Sequence, residues 1–215
     1  MIRRVALILG TLAVAAAAFG DYVRAKPWVR SSWLAQTERK NSIASVLRGL
    51  NRPAVADTLD REAATELKEA VGRALINEPA KDFHLRTIAG ATITLASLKG
   101  KAILISFWAT WCWPCRAEMP GLVDLYRRAS GRGLEILAVT TETPNDRQKI
   151  EHFIDANHLP FPVLYADGLD RLYGLGALPG AVGIDRTGRV RYREIGFSGS
   201  STMRALDLVI DELLR

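Results

Sequence analysis

Cysteine is nearly absent from this 215-residue sequence, which contains only Cys112 and Cys115, separated by two residues. A framework of structural disulfides is therefore excluded, and no third cysteine can relay electrons within the chain. Any redox cycle at this pair must exchange electrons with other proteins or with small thiols. Histidine is also scarce, at three residues, so a zinc site built on the cysteines would lack its remaining ligands. We expect no metal and no other cofactor.

The excess of one charge sign is small, and aromatic residues make up only 7% of the chain. Lys and Arg number 29 against 23 Asp and Glu, which gives a net charge of +6. These basic residues form no stripe interleaved with aromatic residues of the kind that binds nucleic acids, so a nucleic-acid partner is not expected. The apolar fraction of 48% is that of an ordinary globular protein.

The amino terminus carries the pattern of an export segment. Arg3 and Arg4 precede an uncharged apolar run over residues 5–20, which Asp21 closes. The run is intermediate in length between a signal-peptide core and a spanning helix. Residues 1–23 are therefore predicted to be a signal anchor, or a signal peptide cleaved near its alanines. We expect the rest of the chain outside the inner membrane, in the periplasm, either tethered by the amino-terminal helix or exported in soluble form.

Residues 24–79 predict a helical adapter without chemistry of its own. Apolar positions at helical spacing run through Ser31–Leu50, and a second such pattern can be capped by Asp57 or Thr58. The segment Asn77-Glu78-Pro79 is expected to end the second helix.

Residues 80–215 alternate short strands with amphipathic helices, which predicts an α/β domain. Phe83–Ile88 and Thr92–Leu95 are typical of a hairpin, and the apolar run Ala102–Ala109 is typical of a central strand buried on both faces. The cysteine pair directly follows that run and opens a helix. Further strands and helices are predicted at residues 134–140, 143–154, 161–165, 169–175, 181–184, 190–195 and 203–213.

The position of the cysteine pair suits thiol–disulfide exchange. Cys112 is expected at a helix amino terminus, where backbone N–H groups and the helix dipole favour a thiolate. Cys115, one turn on, could attack a mixed disulfide formed by Cys112. Pro114 lacks an N–H and suits the first helical turn.

The run from Phe107 to Pro120, FWATWCWPCRAEMP, resembles the TlpA/ResA/CcmG family of exported thioredoxin-like oxidoreductases, and the similarity extends over about residues 80–215. The resemblance implies a thioredoxin fold, with a central mixed β-sheet flanked by helices, an amino-terminal β-hairpin and an inserted βα unit. It also implies membrane tethering and reduction of disulfides in client proteins such as apocytochromes or copper-site assembly factors. The electron donor it implies is a membrane protein of the DsbD/CcdA type.

The same resemblance assigns roles to individual residues. Pro179 corresponds to a cis proline that faces the redox pair and binds the client backbone, although it could also be an ordinary loop proline before a strand. Gly180 departs from the threonine usual at the next position. Glu118 matches an acid near the second cysteine that could exchange a proton with Cys115, and the alternative is a solvated helix-face acid. Ser106 stands where thioredoxin keeps a buried aspartate, which leaves Glu118 as the local acidic candidate.

Two tryptophans flank Cys112. Trp111 could line a client groove or shield the sulfurs, and Trp113 is expected to be exposed as a client contact or as a peculiarity of this sequence.

Two other functions compete with a reductase. A disulfide-forming oxidant would use the same cysteines, because the two residues between them do not decide the redox direction. A copper-carrying module of thioredoxin fold would use a cysteine pair one residue further apart and a distant histidine, and this sequence does not show that pattern. A peroxidase would need a threonine-to-cysteine pattern for peroxide and no second cysteine nearby.

Overall fold

A computed structural model describes residues 32–50, 52–197 and 199–215, and Trp33–Arg215 forms one compact unit. The predicted apolar segment at residues 1–23 lies outside the described residues. Within the described ranges no helix is both long and apolar enough to cross a membrane. The helices are α1 (Ser32–Gly49), α2 (Pro53–Ala74), α3 (Trp113–Ala129), α4 (Arg147–Asn157), α5 (Leu169–Leu172) and α6 (Ser200–Leu213).

Helices α1 and α2 form an antiparallel pair, which is held by ion pairs between their side chains. Lys40 lies 2.6 Å from the carboxylate of Glu66, while Arg48, further along α1, lies 3.2 Å from Asp57 near the start of α2. Helix α2 begins at Pro53, a residue tolerated in the first turn. The expected cap by Asp57 or Thr58 is therefore wrong, because the helix starts about one turn earlier.

Helix α2 also packs on the rest of the unit. Leu67 and Val71, each 2% exposed, join the core beneath helix α6. A hydrogen bond of 3.1 Å from Arg204 to Asn41 connects α6 with α1. The predicted adapter helix thus contributes to the hydrophobic core, and its division from the next domain at residue 79 stays a prediction.

Eight strands occur in the described part of the chain. They are β1 (Glu78–Pro79), β2 (His84–Arg86), β3 (Thr92–Thr94), β4 (Ala102–Trp108), β5 (Leu134–Thr140), β6 (Val163–Tyr165), β7 (Gly180–Ile184) and β8 (Arg189–Ile195). Six of them form a sheet in the order β1-β8-β7-β4-β5-β6, and β2 and β3 form the expected hairpin. The sequence does not predict strand β1, since Asn77-Glu78-Pro79 is expected to end a helix; pairing with β8 makes it a strand instead.

The sheet is mixed, with its most buried strands at the centre. Strand β4 runs parallel to β5 and antiparallel to β7, and all its residues are buried. Helix α4 and strand β6 stand between β5 and β7 in the chain, which agrees with the inserted unit that the resemblance implied. The thioredoxin fold predicted from the sequence is confirmed.

The two faces of this sheet carry separate hydrophobic clusters. We call the side covered by α2, α3, α4 and α6 the helix face; β4 contributes Leu104 and Trp108 to it. The side covered by the β2–β3 hairpin and α5 is the hairpin face, to which β4 contributes Ile103, Ile105 and Phe107. This alternation follows from the two-residue period of a strand.

Candidate active site

Cys112 lies at the amino terminus of α3, directly beyond the carboxyl end of β4. It is the N-cap residue of the helix, and its Sγ accepts a hydrogen bond of 3.3 Å from the backbone N–H of Cys115. Pro114 occupies the first turn without disturbing this cap. The chain therefore aims the helix dipole and a backbone donor at the sulfur of Cys112, and both favour a thiolate.

The two cysteines form a disulfide, with their Cα atoms 5.3 Å apart. Cys112 retains 5% exposure, whereas Cys115 is fully buried. Of the two sulfurs, the one at the helix terminus is thus the more accessible to another protein. Within the described residues, no group of three or more His, Cys, Asp or Glu side chains could hold a metal ion.

Glu118 lies one turn after Cys115 and is 3% exposed, so it is not a solvated surface acid. Its Oε2 atom has no hydrogen-bond partner among the described residues. Burial raises the pKa of Glu118 to about 8, because a carboxylate loses its hydration in the core. A group with that pKa can take up or release a proton near neutral pH.

Ser106 lies in β4 on the helix face and is 1% exposed, with no partner for its hydroxyl among the described residues. Its cross-strand neighbour in β7 is Ala181, whose own neighbour in β8 is Glu194. Glu118 is therefore not the one acidic residue at this face. Sequence reasoning missed Glu194, because the register of β8 is decided by strand pairing that its local pattern does not reveal.

Pro179 is buried at the same end of the sheet as the cysteine pair. The Leu178–Pro179 peptide bond is cis, as the resemblance implied. Gly180 pairs with Phe107, close to the end of β4 that leads to Cys112. A Cβ atom at residue 180 would lie 3.0 Å from Leu175 Cδ1, so the side chain of Leu175 occupies space that the usual threonine would need.

Trp111 and Trp113 are the most exposed large apolar residues in the described chain, at 72% and 74%. They lie on either side of Cys112. The exposure expected of Trp113 is thus observed, and Trp111 shares it.

Glu142 is a further residue near the site that the sequence did not single out. Its carboxylate accepts hydrogen bonds of 2.7 Å and 2.5 Å from the backbone N–H and hydroxyl of Thr110. It also accepts a 3.1 Å hydrogen bond from Thr140 at the end of β5. Glu142 thereby fastens the loop before Cys112 to the neighbouring strand. The sequence around Glu142 contains no motif that would predict this contact with Thr110.

Comparisons with known proteins agree with the geometry of the cysteine pair. The sequence model of the AhpC/TSA family matches residues 76–193, more than half of the chain. The chain belongs to the AhpC/TSA family. Thiol-disulfide oxidoreductase ResA of Oceanobacillus iheyensis is 36% identical over 121 residues, which span 54% of this chain and 62% of that protein. The ResA of Bacillus thuringiensis is 35% identical over 123 residues, which span 56% and 70%.

A solved structure supports the same placement for this AhpC/TSA member. The crystal structure of a thiol:disulfide interchange protein DsbE from Chlorobium tepidum matches with a TM-score of 0.59 and 28% identity, over 65% of this chain and 97% of that one. The expected similarity to ResA-like and CcmG-like proteins is confirmed, and the chain is a thiol–disulfide oxidoreductase of the ResA/DsbE type. The matched part is less than two thirds of the Oceanobacillus protein.

Proposed function

We propose that this chain is a membrane-tethered periplasmic reductase that reduces disulfides in client proteins through the Cys112–Cys115 dithiol. The observation that carries the proposal is the position of Cys112 at the start of α3, with the Cys115 N–H donating to its sulfur. This arrangement stabilises a thiolate on the more exposed of the two cysteines. The names of the oxidoreductase relatives support the reaction class but leave its direction open.

In the proposed cycle the Cys112 thiolate attacks one sulfur of a client disulfide, and the other client sulfur leaves as a thiolate. Cys115 then attacks Cys112 Sγ, which releases the second client sulfur and closes the Cys112–Cys115 disulfide. Two electrons pass to the client. Glu118, buried one turn from Cys115, accepts the proton that Cys115 loses.

The client would bind at the end of the sheet where Pro179 lies. By resemblance to the family, the segment at Pro179 would hold the client backbone, and strand addition is a common way to hold an extended peptide. The exposed rings of Trp111 and Trp113 would cover apolar side chains of the client. By resemblance, such clients include apocytochromes or proteins that assemble copper sites, and the role in cytochrome c maturation belongs to this proposal.

The proposed location and electron donor rest on the sequence. An amino-terminal apolar segment flanked by Arg3 and Arg4 suits a signal anchor in the inner membrane. With only one cysteine pair, the oxidised protein needs an external reductant. We propose a membrane donor of the DsbD/CcdA type for that step.

Trapping variants test the roles of the two cysteines. Cys115→Ala should accumulate mixed disulfides with clients in the periplasm, because the resolving thiol is gone, whereas Cys112→Ala should accumulate none. Non-reducing electrophoresis of cells treated with an alkylating agent would separate the two results. Equal trapping by both variants would contradict the assignment of Cys112 as the attacking thiol.

The reduction potential tests the direction. A value near that of thioredoxin, about −270 mV, would favour electron donation to clients, and a value near −120 mV would indicate an oxidant. The gap corresponds to about 7 kcal/mol for two electrons, which equilibration with glutathione resolves easily. An oxidising value would overturn the reductase and leave the cysteine roles in place.

A further inference from the structure

Most of the large apolar side chains exposed on the described chain lie on the α1–α2 pair rather than beside the cysteines. Ile43, Val46 and Leu50 are 48%, 62% and 67% exposed, and Val55 in the first turn of α2 is 49% exposed. Among the described residues, three other large apolar side chains are exposed, two of them beside Cys112. Exposed apolar surface that is gathered in one place often marks an interaction site.

Three of these residues form a line along α1, which we call the apolar stripe. The spacing of Ile43, Val46 and Leu50 by three and four residues puts them on one side of the helix. Leu50 continues the last turn, because its N–H donates a hydrogen bond of 3.0 Å to the Val46 carbonyl. A different side of α1 faces the protein, where Ala44 is fully buried. The fold of this chain therefore leaves the apolar stripe uncovered.

The charges around the apolar stripe are cationic. Residues 39–50 contain three basic side chains and no acidic one. Lys40 and Arg48 pair with carboxylates of α2, so these acids are neutralised. Arg39, one turn before Ile43, and Arg52, just after Leu50, are exposed and have no ion-pair partner in the part of the chain that the structure describes. An apolar stripe with free arginines suits anionic headgroups above hydrocarbon.

Helix α1 is also the described element nearest in sequence to the predicted anchor. That anchor ends at residue 23, and residues 24–31 separate it from Ser32, where α1 begins. A segment of this length reaches at most about 29 Å when fully extended, so a tethered chain keeps the start of α1 near the bilayer. The same segment carries Arg24, Lys26 and Arg30 and no acid, which adds attraction to anionic lipids.

We propose that the apolar stripe lies on the outer surface of the inner membrane, with α1 parallel to the bilayer. Ile43, Val46 and Leu50 enter the interface between headgroups and hydrocarbon, and the guanidinium groups of Arg39 and Arg52 bind lipid phosphates. This inference rests on the proposed membrane tether and is independent of the redox direction.

Contact of α1 with the bilayer would restrict the orientation of the whole catalytic unit. Helix α2 joins the core through Leu67 and Val71, and Arg204 of α6 donates a hydrogen bond to Asn41 of α1. The two helices are thus part of the compact unit that carries the cysteine pair and are not a free linker. A fixed orientation at the membrane suits electron exchange between Cys112 and a membrane donor.

A fluorescent label on α1 tests this contact in the full-length protein. The oxidised protein, whose own cysteines are protected by their disulfide, would be labelled with bimane at Val46→Cys or Ile43→Cys and reconstituted into vesicles of phosphatidylcholine and phosphatidylglycerol. Lipids with a nitroxide in the upper acyl chain should quench both labels. The matched control is Ser45→Cys, an exposed position on another side of α1. We expect quenching at residues 43 and 46 to be at least about twofold stronger than at residue 45.

A second set of variants removes the apolar side chains themselves. Val46→Gln combined with Leu50→Gln should lower the quenching of a label at Ile43→Cys by at least about threefold, because burial of two large apolar side chains is lost. Glutamine is a good helix former, so α1 should persist, which circular dichroism would check. Ala64→Gln combined with Lys68→Gln, at two exposed positions on α2, should leave the quenching unchanged.

Each outcome decides a specific point. Labels at residues 43 and 46 that emit as in water, or that are quenched no more than the label at residue 45, would overturn the inference and leave the tether and the redox function in place. Emission shifted to the blue without quenching would also overturn it, because a second copy or another protein would then cover the stripe. Protein that does not float with the vesicles would remove the proposed tether together with the inference, and the cysteine-trapping experiment would still decide the redox roles.

Discussion

Strand β4 presents Ile103, Ile105 and Phe107 to the hairpin face of the sheet, and Leu104, Ser106 and Trp108 to the helix face. Four buried polar side-chain atoms without a hydrogen-bond partner in the described chain belong to the helix face, namely Ser106 Oγ, Trp108 Nε1, Glu118 Oε2 and Tyr192 Oη. On the hairpin face, the Tyr173 hydroxyl accepts a 3.1 Å hydrogen bond from the Lys81 N–H. The two faces thus differ in how these buried polar groups are satisfied.

This difference has an energetic meaning. A buried polar atom without a partner costs about 1–3 kcal/mol of stability. Tyr173 on the hairpin face avoids that cost, because its hydroxyl is bonded to the Lys81 N–H. The helix face keeps such atoms beneath the cysteine pair, where perturbed proton affinities are useful for thiol exchange. Stability and chemistry are thus divided between the two sides of one strand.

The largest expected effect sharpens the stabilising role of the hairpin face. Phe107→Ala should lower the free energy of unfolding by about 3–5 kcal/mol, because it removes a fully buried ring and leaves a cavity. No titratable group of the active site is involved, so urea unfolding should give the same loss at pH 5 and pH 9. A loss that depends on pH, or a changed resolving rate in the folded protein, would break the division between the faces.

The second effect concerns the helix face and depends on pH. The folded-state pKa of Glu118 is about 8 against an ordinary value of 4.5, so the folded state binds the proton more tightly than the unfolded state. Between these two values the unfolded chain holds fewer protons, and stability must fall as pH rises. At 1.36 kcal/mol per unit, the cost reaches about 3 kcal/mol at pH 7 and levels off above pH 8.

Glu118→Gln should abolish this cost. In the disulfide state the variant should be more stable than the wild type by about 3 kcal/mol at pH 7, and the difference should shrink toward pH 4.5. Parallel urea titrations over this range would measure it, with Glu135→Gln as the control for a partly buried carboxylate that lies away from the active site and pairs with Lys101. A stability difference that is constant with pH would mean that Glu118 is charged in the folded protein.

The central strand, the helix that follows it and the cysteines between them could be predicted from the sequence, whereas the edge strand β1 could not. Strand β4 and helix α3 follow from a continuous apolar run and a helical stripe, and the cysteines between them are then placed by connectivity. Strand β1 at Glu78–Pro79 could not be predicted, because two exposed residues carry no pattern and pair only with Val190 and Arg189 of β8.

The acid–base surroundings of the site were the least predictable part. Glu118 was identified through the family resemblance, which is carried by a local motif that places this residue one turn after Cys115. Glu194 and Ser106 share one face of the sheet because Glu194 lies opposite Ala181, which lies opposite Ser106. The sequence neighbours of Glu194, Arg193 and Ile195, do not indicate this placement. Glu142 reaches Thr110 across the ends of two parallel strands. Contacts between side chains of different strands depend on the register of the sheet, which these local sequences do not reveal.

The smallest expected effect compares the two buried tyrosines directly. Tyr173→Phe removes the acceptor of the Lys81 N–H and should cost about 0.5–1.5 kcal/mol. Tyr192→Phe removes a hydroxyl that has no partner in the disulfide state, so it should leave the stability of that state unchanged or raise it by about 1 kcal/mol. Both substitutions keep the ring and its packing, which confines the difference to one oxygen atom. Urea unfolding of both oxidised variants at pH 7 would measure the difference. An equal loss of unfolding free energy in Tyr192→Phe and Tyr173→Phe would show that the Tyr192 hydroxyl is as well satisfied as that of Tyr173.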